Sequence, residues 1–193
     1  TVSELIKNAD IAMYNAKNSG KNSYRFFDSY MEDDVNRKND LADILSHVID
    51  KNEIYLQYQP QVNVESGQVT GYEALMRIES ELVGFISPAE FIPIAEETGI
   101  INILGEWALI EACNFNQVLI KSGFGPLRVS VNVSTTQLKD DHLIDIIKSI
   151  PGKTGMDLKH LEIEITESVL MNSFEHNLKL INQMKELGCS IAL

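Results

Sequence analysis

Along the first eighteen positions the apolar residues fall three and four apart. Leu5, Ala9, Ala12, Met13 and Ala16 share one side of a helical wheel, which predicts a helix with Gly20 as its C-terminal stop. The stretch SYRFF (23–27) has the aromatic density of a short strand. From Asp28 to Asp50 the apolar positions thin to Met31, Val35, Leu41, Ile44, Leu45 and Val48, on a charged run without Pro or Gly. A polar helix with so narrow a stripe suits a connector between domains, and one continuous helix is expected over 29–51.

Beyond residue 51 the period shortens to two. IYLQYQPQVNV (54–64) and QVTGYEALMRI (68–78) flank Glu65-Ser66-Gly67, a hairpin signal. In the second run Thr70, Tyr72, Ala74 and Met76 take one face, and Gly71, Glu73, Leu75 and Arg77 the other. SPAE (87–90) opens a helix, with Ser87 as cap, Pro88 at the first helical position and Glu90 closing a capping box. Helices are expected at about 88–97 and 103–121, then a strand in PLRVSVNVS (126–134) and a helix in HLIDIIKSI (142–150). A strand in HLEIEITES (160–168), a helix near 174–187 and a strand in CSIAL (189–193) follow. Strand and helix alternating over short connections predict an α/β fold of parallel strands and right-handed crossovers, opened by one antiparallel hairpin.

Composition narrows the classes. The chain has 193 residues, 44% hydrophobic and 23% charged, as in a soluble globular protein. No apolar run approaches the roughly 20 residues of a membrane span, and no signal-peptide pattern opens the chain. Because it begins at Thr1 rather than Met, it is expected to be an excerpt of something longer. A net charge of −12 argues against broad binding to nucleic-acid polymers or anionic membranes. A phosphate ligand would have to be held locally, by a metal ion, an Arg or backbone amides. Cys113 and Cys189, far apart and each in apolar context, read as free buried thiols of a reducing cytosol. His47, His142, His160 and His176 lack zinc-ligand spacing.

Three strand positions carry polar groups that an α/β core would not normally choose: Glu73, Asn132 and Glu164. In a barrel, residues near the C-terminal ends of strands line the active site. Two carboxylates and an amide oxygen meeting there would suit Mg²⁺ or Mn²⁺. From spacing alone, three solvated or ion-paired strand residues are the plainer reading. Glu167, three residues past Glu164, could shape the loop beside such a site by bonding backbone amides, or could favour the start of the next helix. Periodicity does not separate the two.

The residues carry a resemblance. YQPQV, YEALMR, SPAEFIPIAEETG, LGEWALIEAC, VSVNVS, LEIEITESVLM and LGCSIAL, in that order over roughly 55–193, resemble the EAL domain, the bacterial cyclic-di-GMP phosphodiesterase family. ADIAMYNAKNSGKNSYRFF (9–27) resembles the closing helix and strand of a GGDEF domain, the diguanylate cyclase family. The resemblance implies three parts: the end of a GGDEF domain over 1–28, a linker helix over 29–51, and the N-terminal part of an EAL domain over 52–193. The implied fold is a TIM-barrel-like EAL domain whose first strand is antiparallel, cut to about its N-terminal half.

It also implies roles. Glu73, Asn132 and Glu164 match metal ligands of the family, and Glu167 the acid that steadies the loop over the metal. Glu73, Glu164 and Glu167 are thus the expected catalytic acids. Arg77 matches an arginine that grips a phosphate of the dinucleotide, and Gln59 and Leu75 line the same groove. The implied reaction is Mg²⁺- or Mn²⁺-assisted hydrolysis of cyclic di-GMP to linear pGpG. The alternative is a silent EAL receptor that binds cyclic di-GMP and signals through partners. A homodimer formed through the EAL domain and a cytoplasmic location are expected, with any membrane tether lying upstream.

Two departures stand out. After Arg77 the family usually continues with Trp, one residue, then His-Pro, whereas this chain has Ile78, Glu79, Ser80 and Glu81, expected as an exposed acidic loop. The family's strand matching CSIAL is followed by an Asp-Asp-Phe-Gly segment, then a lysine and a further glutamate, all beyond Leu193. The 193 residues alone are therefore expected not to hydrolyse cyclic di-GMP.

Overall fold

The computed structural model describes residues 1–18, 22–125, 127–165 and 174–193. The chain forms two compact units, Thr1–Ser46 and His47–Leu193.

The first unit holds α1 (Val2–Asn18) and most of α2 (Ser29–His47). Its small core is Ile11, Ala12 and Met31, with Phe27 and Val35 packed against it. The helical stripe is only partly used: Ala12 and Ala16 are buried, while Leu5 and Met13 stay exposed. The strand expected at 23–27 does not form, and Tyr24 and Phe26 are 81% and 82% exposed. A strand needs a neighbour to complete its hydrogen bonds, and among the described residues none runs beside this segment. The expected stop at Gly20 lies outside the described residues. The helix expected to reach residue 51 ends at His47. Val48, Ile49 and Asp50 are weaker helix formers, and Asn52 takes a left-handed φ of 56°, which asparagine tolerates better than most residues. Backbone bonds from Lys51 to His47 and from Glu53 to Val48 close the turn into the first strand.

The second unit is a single sheet with helices. An antiparallel pair, β1 (Ile54–Val62) and β2 (Val69–Ser80), opens it. Asn63 builds the turn by accepting the Glu65 and Ser66 amides on its side-chain oxygen. Next come β3 (Gly84–Ile86), α3 (Pro88–Thr98), α4 (Ile101–Lys121) and β4 (Arg128–Asn132). They are followed by α5 (His142–Thr154), β5 (Leu161–Glu164), α6 (Phe174–Glu186) and β6 (Ser190–Ala192). The strand order is β1-β2-β4-β5-β6, parallel from β2 onward, with β3 antiparallel to the end of β2.

Two local expectations change. Pro88 begins α3 as its fixed φ suits, but the Ser87 hydroxyl makes no cap hydrogen bond. The stretch 78–81 is not an exposed loop. β2 runs through Ser80, Ile78 is fully buried, and the buried Glu53 accepts from the Ser80 hydroxyl at 3.2 Å and the Glu81 amide at 2.8 Å.

One face of the sheet is apolar. Tyr72, Ala74, Val129, Val131, Leu161 and Ile163 are buried there in a core shared with Leu109, Ala112 and Cys113 of α4 and Ile147 and Ile150 of α5. At its β1–β2 corner Phe115 of α4 stacks on Tyr58 with centroids 3.9 Å apart, and Tyr72 meets Phe115 edge-on at 5.5 Å. Burial of this face fixes which side chains the strands present on the other.

Candidate functional site

Residues opposite one another in a ladder share a face, so register assembles the site. Gln57, Gln59 and Gln61 of β1 lie opposite Leu75, Glu73 and Gly71 of β2. Glu73 in turn lies opposite Ser130 of β4, and Ser130 and Asn132 lie opposite Glu162 and Glu164 of β5. Across four strands the face away from the apolar core is therefore almost wholly polar.

Its upper layer sits at the carboxyl ends of the parallel strands, where Asn132 and Glu164 are the last residues of β4 and β5. The Asn132 amide nitrogen donates to Glu73 Oε1 at 2.6 Å. Burial, and then the charge of Glu73, hold the Glu164 carboxyl above the usual carboxylate range. The layer below is a buried network. The Ser130 hydroxyl, fully buried, donates to Glu162 Oε1 at 2.8 Å and accepts from the Gln61 amide at 3.4 Å. Arg128 Nη1 pairs with Glu162 Oε2 at 3.1 Å.

Farther along β2, Arg77 donates through Nε to Gln57 Oε1 at 2.9 Å and through Nη1 to the Met76 carbonyl at 2.8 Å. Glu73, Leu75, Arg77 and Asn132 line one cavity of about 570 Å³, together with Ile92 and Glu96 of α3 and Ser134, Thr135 and Gln137 after β4. Gln137 is buried and its side-chain oxygen accepts the Ser134 amide at 3.0 Å. Gly105 of α4 permits that position, since a Cβ there would lie 1.9 Å from Gln137 Nε2.

The structure thus gathers Glu73, Asn132 and Glu164 on one face, with Leu75 and Arg77 beside Glu73 and Gln59 directly across from it. Glu167 lies outside the described residues. Period-two alternation could have found Ser130 and Gln57, each two positions before a residue already singled out on the same face. Gln137, in a 3-10 turn (Gln137–Lys139) beyond β4, has no periodic signal.

Among the described residues no three Asp, Glu, His or Cys side chains cluster as a metal cage. The donor set is instead two carboxylates and one amide. These are hard oxygen ligands, of the kind an octahedral cation takes in small number while keeping water. A cation there would offset the burial and the Glu73 charge that together raise Glu164, and a 180° turn of the Asn132 amide would present its oxygen. The residues fit a hard divalent ion.

The EAL domain family matches residues 42–193. A signaling protein of Caulobacter vibrioides, itself named uncharacterized, is 39% identical over 193 residues, which is 100% of this chain and 23% of that protein. The bifunctional diguanylate cyclase/cyclic di-GMP phosphodiesterase MucR of Pseudomonas aeruginosa is 35% identical over 190 residues, 98% of this chain and 28% of that protein. The solved phosphodiesterase of PaMucR in complex with c-di-GMP superposes with a TM-score of 0.75 at 32% identity, covering 79% of this chain and 62% of that one. The chain spans about a quarter of the length of these curated relatives.

Proposed function

The chain belongs to the EAL domain family, and on that premise we propose that the full-length protein is a cyclic-di-GMP phosphodiesterase that hydrolyses one phosphodiester bond to give pGpG. One observation carries the reading. Glu73, Asn132 and Glu164 share the polar face of adjacent parallel strands, and Glu73 and Asn132 line the same cavity as Arg77.

Glu73, Asn132 and Glu164 would hold Mg²⁺ or Mn²⁺, which when bound supplies Lewis-acid activation of water and neutralises charge on the phosphate. Arg77 offers a planar donor fork to phosphate oxygens, giving an acidic protein local positive charge for an anionic substrate. Leu75 lines the groove with apolar surface beside it, and Gln59 faces Glu73 from β1. Glu167 would steady the loop after β5. The six strands make one arc of a TIM-type barrel in this reading.

Residues 1–28 are proposed as the end of a GGDEF domain, 29–51 as the connector and 52–193 as EAL domain. The alignment with MucR, named a diguanylate cyclase as well as a phosphodiesterase, supports this by extending over 98% of the chain. Among the described residues no helix is long and apolar enough to cross a membrane. We place this part of the protein in the cytoplasm and its EAL domain in a homodimer.

The test is Glu73→Ala in the full-length protein. Loss of a carboxylate at the centre of the site should abolish Mg²⁺-dependent formation of pGpG from cyclic di-GMP. Turnover retained in that variant would refute the metal assignment. Binding of cyclic di-GMP by the wild-type protein without any pGpG would favour the silent receptor.

A further inference from the structure

Arg77 does not stand free on its strand. Its Nε–H is taken by Gln57 Oε1 at 2.9 Å and one Nη1–H by the Met76 carbonyl at 2.8 Å. Two bonds in different directions fix both the plane and the rotation of the guanidinium. Three N–H groups remain, all on the two Nη atoms. A side-on fork through Nε is closed to a phosphate in this arrangement, and the end-on approach through Nη1 and Nη2 stays open.

Gln57 reaches this position through register alone. It lies opposite Leu75, while Tyr55 lies opposite Arg77, so Gln57 and Arg77 are diagonal neighbours on the polar face. The contact brings together residues twenty positions apart. Gln57 holds the arginine from β1, outside the lining of the cavity that Arg77 enters. Its amide is neutral, so it orders the guanidinium without cancelling the charge that an anionic ligand would seek.

We infer that Gln57 is a positioning residue for substrate: it holds Arg77 in the orientation that presents its two Nη groups to a phosphate of the dinucleotide. The inference rests on the phosphodiesterase reading and on the phosphate role of Arg77. Without Gln57 the arginine must be ordered at the moment of binding, which costs a factor of roughly three to ten in affinity.

The experiment compares wild type, Gln57→Leu, Gln57→Glu, Arg77→Ala and the Gln57→Leu/Arg77→Ala pair in the full-length protein. KM and kcat for cyclic di-GMP are measured at fixed Mg²⁺, with thermal midpoints recorded to establish that each variant is folded. Gln57→Leu should raise KM roughly three- to tenfold with kcat within about twofold of wild type. Gln57→Glu keeps the acceptor but adds a negative charge against Arg77, and should raise KM further. Adding Gln57→Leu to Arg77→Ala should change nothing more, because the group being positioned is gone. The inference is overturned if Gln57→Leu leaves KM unchanged while Arg77→Ala raises it, or if the two effects multiply in the pair. Wild-type protein that makes no pGpG, or Arg77→Ala with wild-type KM, would instead refute the function reading beneath it.

Discussion

Replacing Glu162 by alanine should destabilise the second unit by about 2–3 kcal/mol, most of it from one hydrogen bond. Glu162 stands in the layer beneath the site, its side chain 11% exposed, accepting from the fully buried Ser130 hydroxyl at 2.8 Å and pairing with Arg128 at 3.1 Å. A hydrogen bond to a charged acceptor is worth about 1.5–3 kcal/mol, and the Glu164 carboxylate, which the Ser130 hydroxyl also reaches, offsets part of its loss. The Arg128 pair adds little: the arginine is 43% exposed, so water screens the attraction to about 1 kcal/mol or less. Against these losses, removing the Glu162 charge relieves part of the repulsion felt by Glu164. Glu162→Gln separates the contributions, because its amide oxygen still accepts from Ser130 while the charge is gone, and should cost about 1 kcal/mol or less.

Cys113 and Cys189 provide a probe confined to this unit. Both are free and buried, so each reacts with a thiol reagent only when the core opens. Peptide-resolved labelling across a urea series, in the full-length protein, reads their exposure without interference from other domains. With a urea slope of about 2 kcal/mol per molar, the midpoint should fall by about 1–1.5 M for Glu162→Ala and by at most about 0.5 M for Glu162→Gln. Equal midpoints for the two variants would mean that the charge, and not the Ser130 bond, carries the stability. An Ala midpoint at the wild-type value would refute the burial reasoning altogether.

Two further outcomes are expected. Phe115→Ala removes the ring stacked between α4 and β1, and should lower stability by about 2–4 kcal/mol in the same labelling assay; a loss below about 1 kcal/mol would show that the aromatic corner repacks. Burial pushes the Cys113 thiol up to about 12 and Cys189 up to about 11, so both should resist labelling at pH 8, and complete labelling of folded protein within seconds would contradict it. Because unfolded thiols ionise first, near their ordinary value of 9.0, the stability held by these neutral groups is complete below about pH 9 and is lost as pH rises toward 11–12.

The sequence by itself determined the alternation of elements in the second unit and the two faces of its strands. Period two separates Glu73, Leu75 and Arg77 from Tyr72, Ala74 and Met76 whatever lies beside them, because pleating is a property of one backbone. The same locality explains what it could not determine. SYRFF has strand composition, but a strand is completed only by a partner, and none of the described residues provides one. The family pattern led to the reading of Ile78–Glu81 as a loop, whereas pairing with β3 and the bonds that Ser80 and Glu81 donate to Glu53 made it strand and turn. Which polar residues meet was decided by register: a shift of one residue between β4 and β5 would carry Glu164 to the other face and away from Asn132. Gln57 reaches Arg77, and Glu162 reaches Arg128 and Ser130, across segments 20 to 34 positions apart in the chain. Those distances are closed only when the apolar face of the sheet is buried under its helices, and that burial is a property of the whole fold.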